Sequence, residues 1–328
     1  MIEPWDGRSA PGSPGEVERM TDDRVATARR RFAEELRYVA GVRSPAVVRA
    51  FATVPRERFA GPGPWRVLSP MSMDAYWTTD DADPRHLYHD VLVAIDEARR
   101  LNNGQPSLWA ALYDRLGLAA GMHVVHVGAG TGYYSAVLAE IVGREGWVTA
   151  VEIDPSLAGR ARENLAPAWP QAAVVEGDGF AFRPDRPADA IVVNAGVSHP
   201  SPAWLDALAP EGGRLLVPLT DAGGVGSFLL VARRAGATRR YPAQYAGRTG
   251  IIPCVGGREP EAEARLGAAL RRPGGLAEVR SLRRAPEVPD ESCWLAGDGW
   301  WLSTAPVDPG DAAEAGITAT GLAGRRPS

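Results

Sequence analysis

His126-Val127-Gly128-Ala129-Gly130-Thr131-Gly132-Tyr133 is the stretch that decides the fold. An apolar run from Met122 leads into it, and a helical pattern opens at Tyr133. Glycines between a strand and a helix let the backbone turn sharply and approach a ligand closely. Further along the chain, short apolar runs recur at Trp147–Glu152, Ala173–Glu176, Ala190–Asn194, Arg214–Pro218 and Phe228–Ala232, with helical patterns at Tyr133–Val142 and Pro155–Leu165. That alternation predicts a doubly wound, mainly parallel α/β sheet. The strands are apolar almost throughout, as parallel strands buried on both faces are.

The ends of these runs carry the candidate binding residues. The second strand ends in Val151-Glu152-Ile153-Asp154, with Glu152 24 positions after Gly128. An acid at that tip, roughly 20 residues after the glycines, accepts hydrogen bonds from ribose hydroxyls. The third strand ends in Glu176-Gly177-Asp178-Gly179, where an acid reaches an adenine amino group, and the fourth ends in Val193-Asn194. Open α/β sheets bind ligands at these carboxyl ends. The candidate cofactor residues are therefore Gly128, Ala129, Gly130, Thr131, Gly132, Tyr133, Glu152, Ile153, Asp178, Gly179 and Asn194. A nicotinamide dinucleotide fold competes, but its G-x-G-x-x-G places a third glycine where this chain has Tyr133. The spacing G-x-G-x-G, followed by Gly177-Asp178-Gly179, looks like the class I S-adenosylmethionine (SAM)-dependent methyltransferase pattern. The plainer alternative is that the glycines only make turns.

Composition narrows the classes. At 328 residues, 45% apolar and 23% charged, the chain can bury a sizeable core. Its net charge of −4 gives no broad footprint for nucleic acid. All 36 basic residues are Arg and none is Lys, which GC-rich codon usage explains better than any functional reading. Two cysteines, Cys254 and Cys293, make neither a disulfide framework nor a zinc site, so no metal is expected. No run is long enough to span a membrane. Met1–Met20 lacks an apolar signal core and reads as a disordered leader, so the expected location is the cytoplasm.

Five regions are expected: the leader at 1–20, an N-terminal helical and substrate-gating region at 21–110, a cofactor domain at 111–235, a small α+β extension at 236–305 and a disordered tail at 306–328. Thr21, before Asp22 and Asp23, is positioned to cap a first helix reaching about Ala40. Ser44-Pro45 opens a second helix. Gly61 to about Arg85 reads as a long ordered loop, Tyr88–Ile95 as a strand and Pro106–Leu116 as a helix. Past Ala235 the expected elements are a helix over 259–271 and a hairpin pairing Cys293–Leu295 with Trp300–Ser303. Trp294, Trp300 and Trp301 there fill a small core, cover the acceptor site or meet a partner; monomer and homodimer both fit.

With these residues in view, the chain from about Ser44 to Ala232 resembles the protein-L-isoaspartate O-methyltransferase family. Val54-Pro55-Arg56-Glu57-Arg58-Phe59, Tyr88-His89-Asp90, Gln105-Pro106-Ser107, Gly128–Tyr133, Glu152, Gly177-Asp178-Gly179, Asp189–Val193 and Gly212–Pro218 carry the resemblance. It implies a seven-stranded methyltransferase sheet, SAM as cofactor with S-adenosyl-L-homocysteine as product, and transfer of the methyl group to an isoaspartyl carboxylate in a peptide. Relatives of this shape also methylate aspartate in ribosomal-peptide biosynthesis, and Asp90–Val93 with Asn102–Ser107 looks closer to those. The chain departs from the family before Gln105-Pro106. The family carries a Ser/Thr-rich stretch there, whereas this chain has Asn102-Asn103-Gly104. Asn still donates to a carboxylate, although the same residues also suit a simple turn.

A carboxylate acceptor is ionised at neutral pH and needs no base. A hydroxyl or amine acceptor needs one, and His89 and His199 are the candidates; His123 and His126 read as strand residues. The candidate acceptor-side residues are thus Asn102, Asn103, Gln105, His89 and His199. A small-molecule O-, N- or C-methyltransferase with a His base, and a non-catalytic SAM-binding module, are the alternatives.

Overall fold

A computed structural model describes residues 14–236 and 239–307. Most of the expected leader and tail lies outside the described residues. Helix α1 (Pro14–Val39) starts before Thr21, so the expected cap at Thr21 is corrected: it sits inside the helix. In α2 (Pro45–Thr53) the Ser44 hydroxyl accepts the Val47 N–H at 3.4 Å and Pro45 occupies the first turn, as its sequence requires. The short α3 (Glu57–Ala60) follows.

The stretch expected as a long loop is corrected to a sheet. β1 (Arg66–Ser69) and β2 (Ser72–Thr78) form an antiparallel hairpin, β1 also pairs with β3 (Leu92–Asp96), and β3 pairs with β4 (Leu101–Asn102). Pro and Gly at 61–64 and 70 obscured the short strands in the sequence, because strand length there is only four to seven residues. Helix α4 (Pro106–Leu116) leads into the large sheet.

That sheet is built from β5 (His123–Val127), α5 (Tyr133–Val142), β6 (Trp147–Glu152), α6 (Pro155–Leu165), β7 (Ala172–Glu176), β8 (Ala190–Val193), α7 (Pro202–Ala207), β9 (Arg214–Thr220), β10 (Val225–Ala232), β11 (Arg240–Gly250), α8 (Pro260–Leu270), β12 (Ser281–Arg284), β13 (Cys293–Gly297) and β14 (Trp300–Ser303). The spatial order is β13-β14-β12-β11-β10-β9-β8-β5-β6-β7, with β7, β6, β5, β8 and β9 mutually parallel and the remaining strands antiparallel. The α/β class is as the sequence implies. The strand count is corrected: ten strands are described rather than seven, because the C-terminal segment continues the same sheet.

Alternation along each strand divides the core in two. Val124, Val148, Val192 and Leu216 pack on one face under α1, α2, α4 and α5. Val125, Val127, Ile191, Val193, Leu215, Val217 and Leu219 pack on the other, with α7, α8 and the hairpin tryptophans Trp294 and Trp300.

Candidate active site

The chain reverses its winding between β5 and β8, and doubly wound sheets bind ligands at that switch. Gly128, Gly130 and Gly132 all have positive φ (79°, 58° and 94°), a conformation that glycine alone adopts without strain. A side chain at Gly128 would press on Asn194 at 3.4 Å, and one at Gly132 would press on Leu165 of α6 at 3.2 Å. The positive φ at all three positions, with close packing added at Gly132, explains why this turn is glycine-rich. Ala129 is buried beside them, and Thr131 is fully buried, its carbonyl accepting from Asn164 at 2.9 Å.

Glu152 is only 7% exposed. Its Oε2 accepts the Gly130 N–H at 2.7 Å and its Oε1 the Asp154 N–H at 3.0 Å. A carboxylate has about four acceptor positions, so two remain for a diol. Ile153 is 43% exposed beside it. Asp178 uses Oδ1 to accept the Phe180 N–H at 2.8 Å, and its Oδ2 makes no hydrogen bond among the described residues. The loop after β7 is pinned from α7, where Trp204 Nε1 donates to the Gly179 carbonyl at 2.8 Å and the Ser201 hydroxyl to the Phe180 carbonyl at 2.6 Å. These acceptors and the glycine cradle fit the ribose and adenine of SAM.

Two candidates turn elsewhere. The Tyr133 ring, expected at the cofactor, packs against Phe59 (centroids 5.7 Å) and Phe51 (6.5 Å) in the core under the N-terminal helices, so only its backbone belongs to the glycine turn. The Asn194 side chain faces His126. His126 is fully buried, its Nδ1 is 2.8 Å from the Ser135 hydroxyl, and burial pushes it down to about 4, with Asn194 acting in the opposite direction.

The hairpin of β3 and β4 lies over the glycine turn. Ile95 comes within 3.5 Å of a side-chain position at Gly130, Arg99 donates to Asp154 at 2.7 Å, and the Thr131 hydroxyl donates to Asn103 Oδ1 at 3.4 Å. In the loop that follows, Asn102 is committed to a local turn: its Oδ1 accepts the Gly104 N–H at 2.8 Å and its Nδ2 donates to the Arg100 carbonyl at 3.4 Å. Both Nε2 hydrogens of Gln105 are also committed, to Asp90 Oδ2 at 3.0 Å and the Ser107 hydroxyl at 2.8 Å. Asn103 is 7% exposed, and its Nδ2 donates no hydrogen bond among the described residues.

Among the described residues neither candidate base hydrogen-bonds to this loop through its side chain. His89 is exposed, and its carbonyl accepts from buried Arg56 at 3.0 Å. Arg56 holds the same segment through the Leu87 carbonyl and, at 3.0 Å, the Val91 carbonyl. His199 is buried between the Phe180 ring (5.1 Å) and Trp300 (6.5 Å, stacked), with Nδ1 2.9 Å from the Ser198 hydroxyl and Nε2 3.5 Å from Glu259; burial lowers its pKa.

Two parts of this end of the sheet escaped sequence reading. The first is the anchoring role of Asp90, named in the sequence only as part of Tyr88-His89-Asp90, whose carboxylate holds the loop before α4 from outside it. The second is the strap from Ile252 to Arg258, assigned by sequence to a separate extension. It crosses the ends of β8 and β9: the Gly196 N–H donates to Ile252 at 2.8 Å, Cys254 N–H to Gly196 at 2.8 Å and Ser198 N–H to Gly257 at 3.0 Å. Its Gly256 (φ 82°) faces Asp178, where a side chain would meet Oδ2 at 2.8 Å. The Gly256-Gly257 pair was the available signal. Among the described residues, no group of three His, Cys, Asp or Glu is placed to hold a metal ion, and no helix is long and apolar enough to cross a membrane.

Comparison with known proteins bears on the family and the fold. The family model described as Protein-L-isoaspartate(D-aspartate) O-methyltransferase (PCMT) matches residues 28–246. Protein-L-isoaspartate O-methyltransferase 2 of Anaeromyxobacter sp. (strain Fw109-5) is 33% identical over 216 residues, covering 65% of this chain and 78% of that protein. The Hyperthermus butylicus protein-L-isoaspartate O-methyltransferase is 32% identical over 250 residues, covering 73% of this chain and 94% of that one. A solved protein-L-isoaspartate O-methyltransferase superposes with a TM-score of 0.57 at 27% identity, over 73% of this chain and 71% of that chain. A Plasmodium falciparum structure containing S-adenosyl-L-homocysteine shares the fold, with a TM-score of 0.53 at 17% identity over 69% of this chain and 97% of that chain. Fold and site together define a SAM-dependent methyltransferase of class I, with SAM as its cofactor. Within that class, the chain belongs to the protein-L-isoaspartate(D-aspartate) O-methyltransferase family.

Proposed function

We propose that the chain methylates a side-chain carboxylate of an aspartyl or isoaspartyl residue in a peptide or protein. The observation that carries this reading is Asn103. It lies against Thr131 of the glycine turn with its amide N–H groups unspent among the described residues, while its neighbours Asn102 and Gln105 are used up in holding the loop. Two amide hydrogens match a carboxylate acceptor and replace the hydroxyls of the family's usual loop. The names of the relatives point to the same acceptor class.

When bound, SAM supplies an electrophilic methyl group on its sulfonium. The protein's own contribution is orientation. Glu152 and Asp178 would hold the ribose and adenine, the glycine turn would admit the cofactor's close approach, and Asn103 would fix the acceptor oxygen. An ionised carboxylate is already a nucleophile, so no proton has to be removed. His199 is enclosed between Phe180 and Trp300, with its ring nitrogens beside Ser198 and Glu259, and it has no part in the proposed transfer.

The test is incubation with SAM and paired hexapeptides containing aspartate or isoaspartate, followed by mass spectrometry. A gain of one methyl on either peptide is expected. Asn103→Ala should cut kcat/KM about tenfold or more, the scale of a hydrogen bond to a charged group, while SAM affinity stays unchanged. No methyl gain on either peptide would rule the reading out.

A further inference from the structure

Ten large apolar side chains are conspicuously exposed among the described residues, and three of them, Met71, Met73 and Trp77, belong to the β1–β2 hairpin. Trp77 is 70% exposed, which is unusual for a residue that normally buries most of its ring. The cause lies in the sheet. Val93, Val67 and Trp77 stand opposite one another on β3, β1 and β2. Val93 is buried, Val67 is half-buried against the small core of Trp65, Leu87 and Val93, and Trp77 overhangs it. Met73 and Ala75 share the Trp77 side of the strand by alternation. Among the described residues β2 pairs only with β1, so its outer edge carries unpaired backbone donors and acceptors. Proteins usually blunt such an edge with lysine, proline or a covering element. Among the described residues none of these is present, and Asp74, Asp80 and Asp81 are exposed around the edge.

We propose that β2 docks an extended segment of the acceptor polypeptide, which joins the sheet as a fifth strand and lays apolar side chains over Met73 and Trp77. This rests on the peptide-acceptor reading above. Two observations choose this occupant. Asp74 and Asp80 of the edge have no cationic partner among the described residues, Asp81 is held by His86, and the nearby cations Arg66 and Arg85 are spent on Glu97 and Asp83, so the segment should be basic as well as apolar. The edge is also continuous with the acceptor loop, because β4 and β3 of the same sheet lead directly to Asn103. From β4 to a strand beyond β2 is four strand spacings, about 19 Å at about 4.8 Å each. An extended chain covers that in about six residues. The surface therefore selects acceptors by their flanking sequence and discriminates by length.

The test uses the full chain, a twenty-residue peptide with a central isoaspartate flanked by alternating valine and arginine, and the six-residue peptide at its centre. The long peptide should show a KM about tenfold lower. In the double variant Met73→Ser, Trp77→Ser that advantage should vanish, with kcat and SAM affinity unchanged. Equal KM values for the two peptides in the wild type, or an advantage retained in the variant, would overturn the docking edge. If neither peptide nor its aspartate counterpart is methylated, the peptide-acceptor reading fails by itself, and anisotropy of the fluorescein-labelled long peptide decides the edge. At least tenfold weaker binding by the variant upholds it; equal binding, or none by the wild type, overturns it. Sedimentation in which the wild type is a dimer and the variant a monomer would assign the edge to a second copy of the chain instead.

Discussion

The carboxylate of Asp90 accepts the backbone N–H of Ser107 at 2.8 Å and the Ser107 hydroxyl at 2.6 Å. Helix α4 has no side-chain cap from its own N-cap residue, Gln105. Asp90 fills that role from another segment and also takes one Gln105 hydrogen. An acid at a helix N-terminus is favoured by both capping and the helix dipole.

Asp90→Ala should therefore lower stability by about 1–2 kcal/mol, the scale of a lost cap. Because the same carboxylate fixes the loop around Asn103, the acceptor KM should rise as well, with SAM affinity nearly constant. Urea unfolding and steady-state kinetics check the two effects, and Asp90→Asn should recover part of each. An unchanged unfolding midpoint would show that the cap contributes nothing.

Gly104 stands at φ 65°, and a side chain there would meet Trp109 Nε1 at 2.7 Å. Trp109 is buried in the core and cannot move aside cheaply. Gly104→Ala should cost roughly 1–3 kcal/mol and raise the acceptor KM. Thermal unfolding with and without SAM measures the first effect. A fully stable variant would mean that the loop relaxes freely.

For Glu152, the prediction concerns the cofactor alone. Replacing it by Gln removes the charge that strengthens its hydrogen bonds, and Ala also leaves the Gly130 N–H without its partner. Hydrogen bonds to charged groups contribute about 1.5–3 kcal/mol. Calorimetry should show SAM binding weakened by about tenfold or more in Glu152→Ala, with a smaller loss in Glu152→Gln. Wild-type affinity in the Ala variant would remove Glu152 from the site.

His126 predicts a pH dependence. Burial holds it down to about 4 in the folded chain, against about 6.5 when unfolded. Below 6.5 the unfolded state binds the proton first, so stability is fully present above that pH and falls as pH drops toward 4. The loss should approach about 3 kcal/mol. Denaturant midpoints measured from about pH 7 to about pH 4 should fall in the wild type, and less steeply in His126→Gln. Parallel profiles would place the titration elsewhere.

Much of the cofactor half was legible because its signals are local. Tyr133–Val142 and Pro155–Leu165 are helices over the stretches their apolar spacing marks, and Trp147–Glu152 is a strand over its apolar run. A glycine turn between a strand and a helix specifies its own geometry through φ, so Gly128, Gly130 and Gly132 could be read directly. Other features depend on distant partners. Nothing near Asp90 marks it as the cap of a helix 17 positions later. The strap around Gly256 resembles an ordinary loop until β11 and α8 place it over Asp178.

By itself, then, the amino-acid sequence determined the α/β winding, the glycine turn, the acids at Glu152 and Asp178, and the departure at Asn102-Asn103-Gly104 from the family's hydroxyl-bearing loop. Those are set by short-range periodicity, backbone sterics and residue chemistry. Tertiary structure decided which of several polar neighbours is left with hydrogens to offer. Asn102 and Gln105 look as suitable as Asn103 on paper, yet the first closes its own turn and the second is held by Asp90 and Ser107. It also decided that the C-terminal strands extend the main sheet and that, among the described residues, β2 has an uncovered edge, because pairing and burial depend on what the rest of the chain brings alongside.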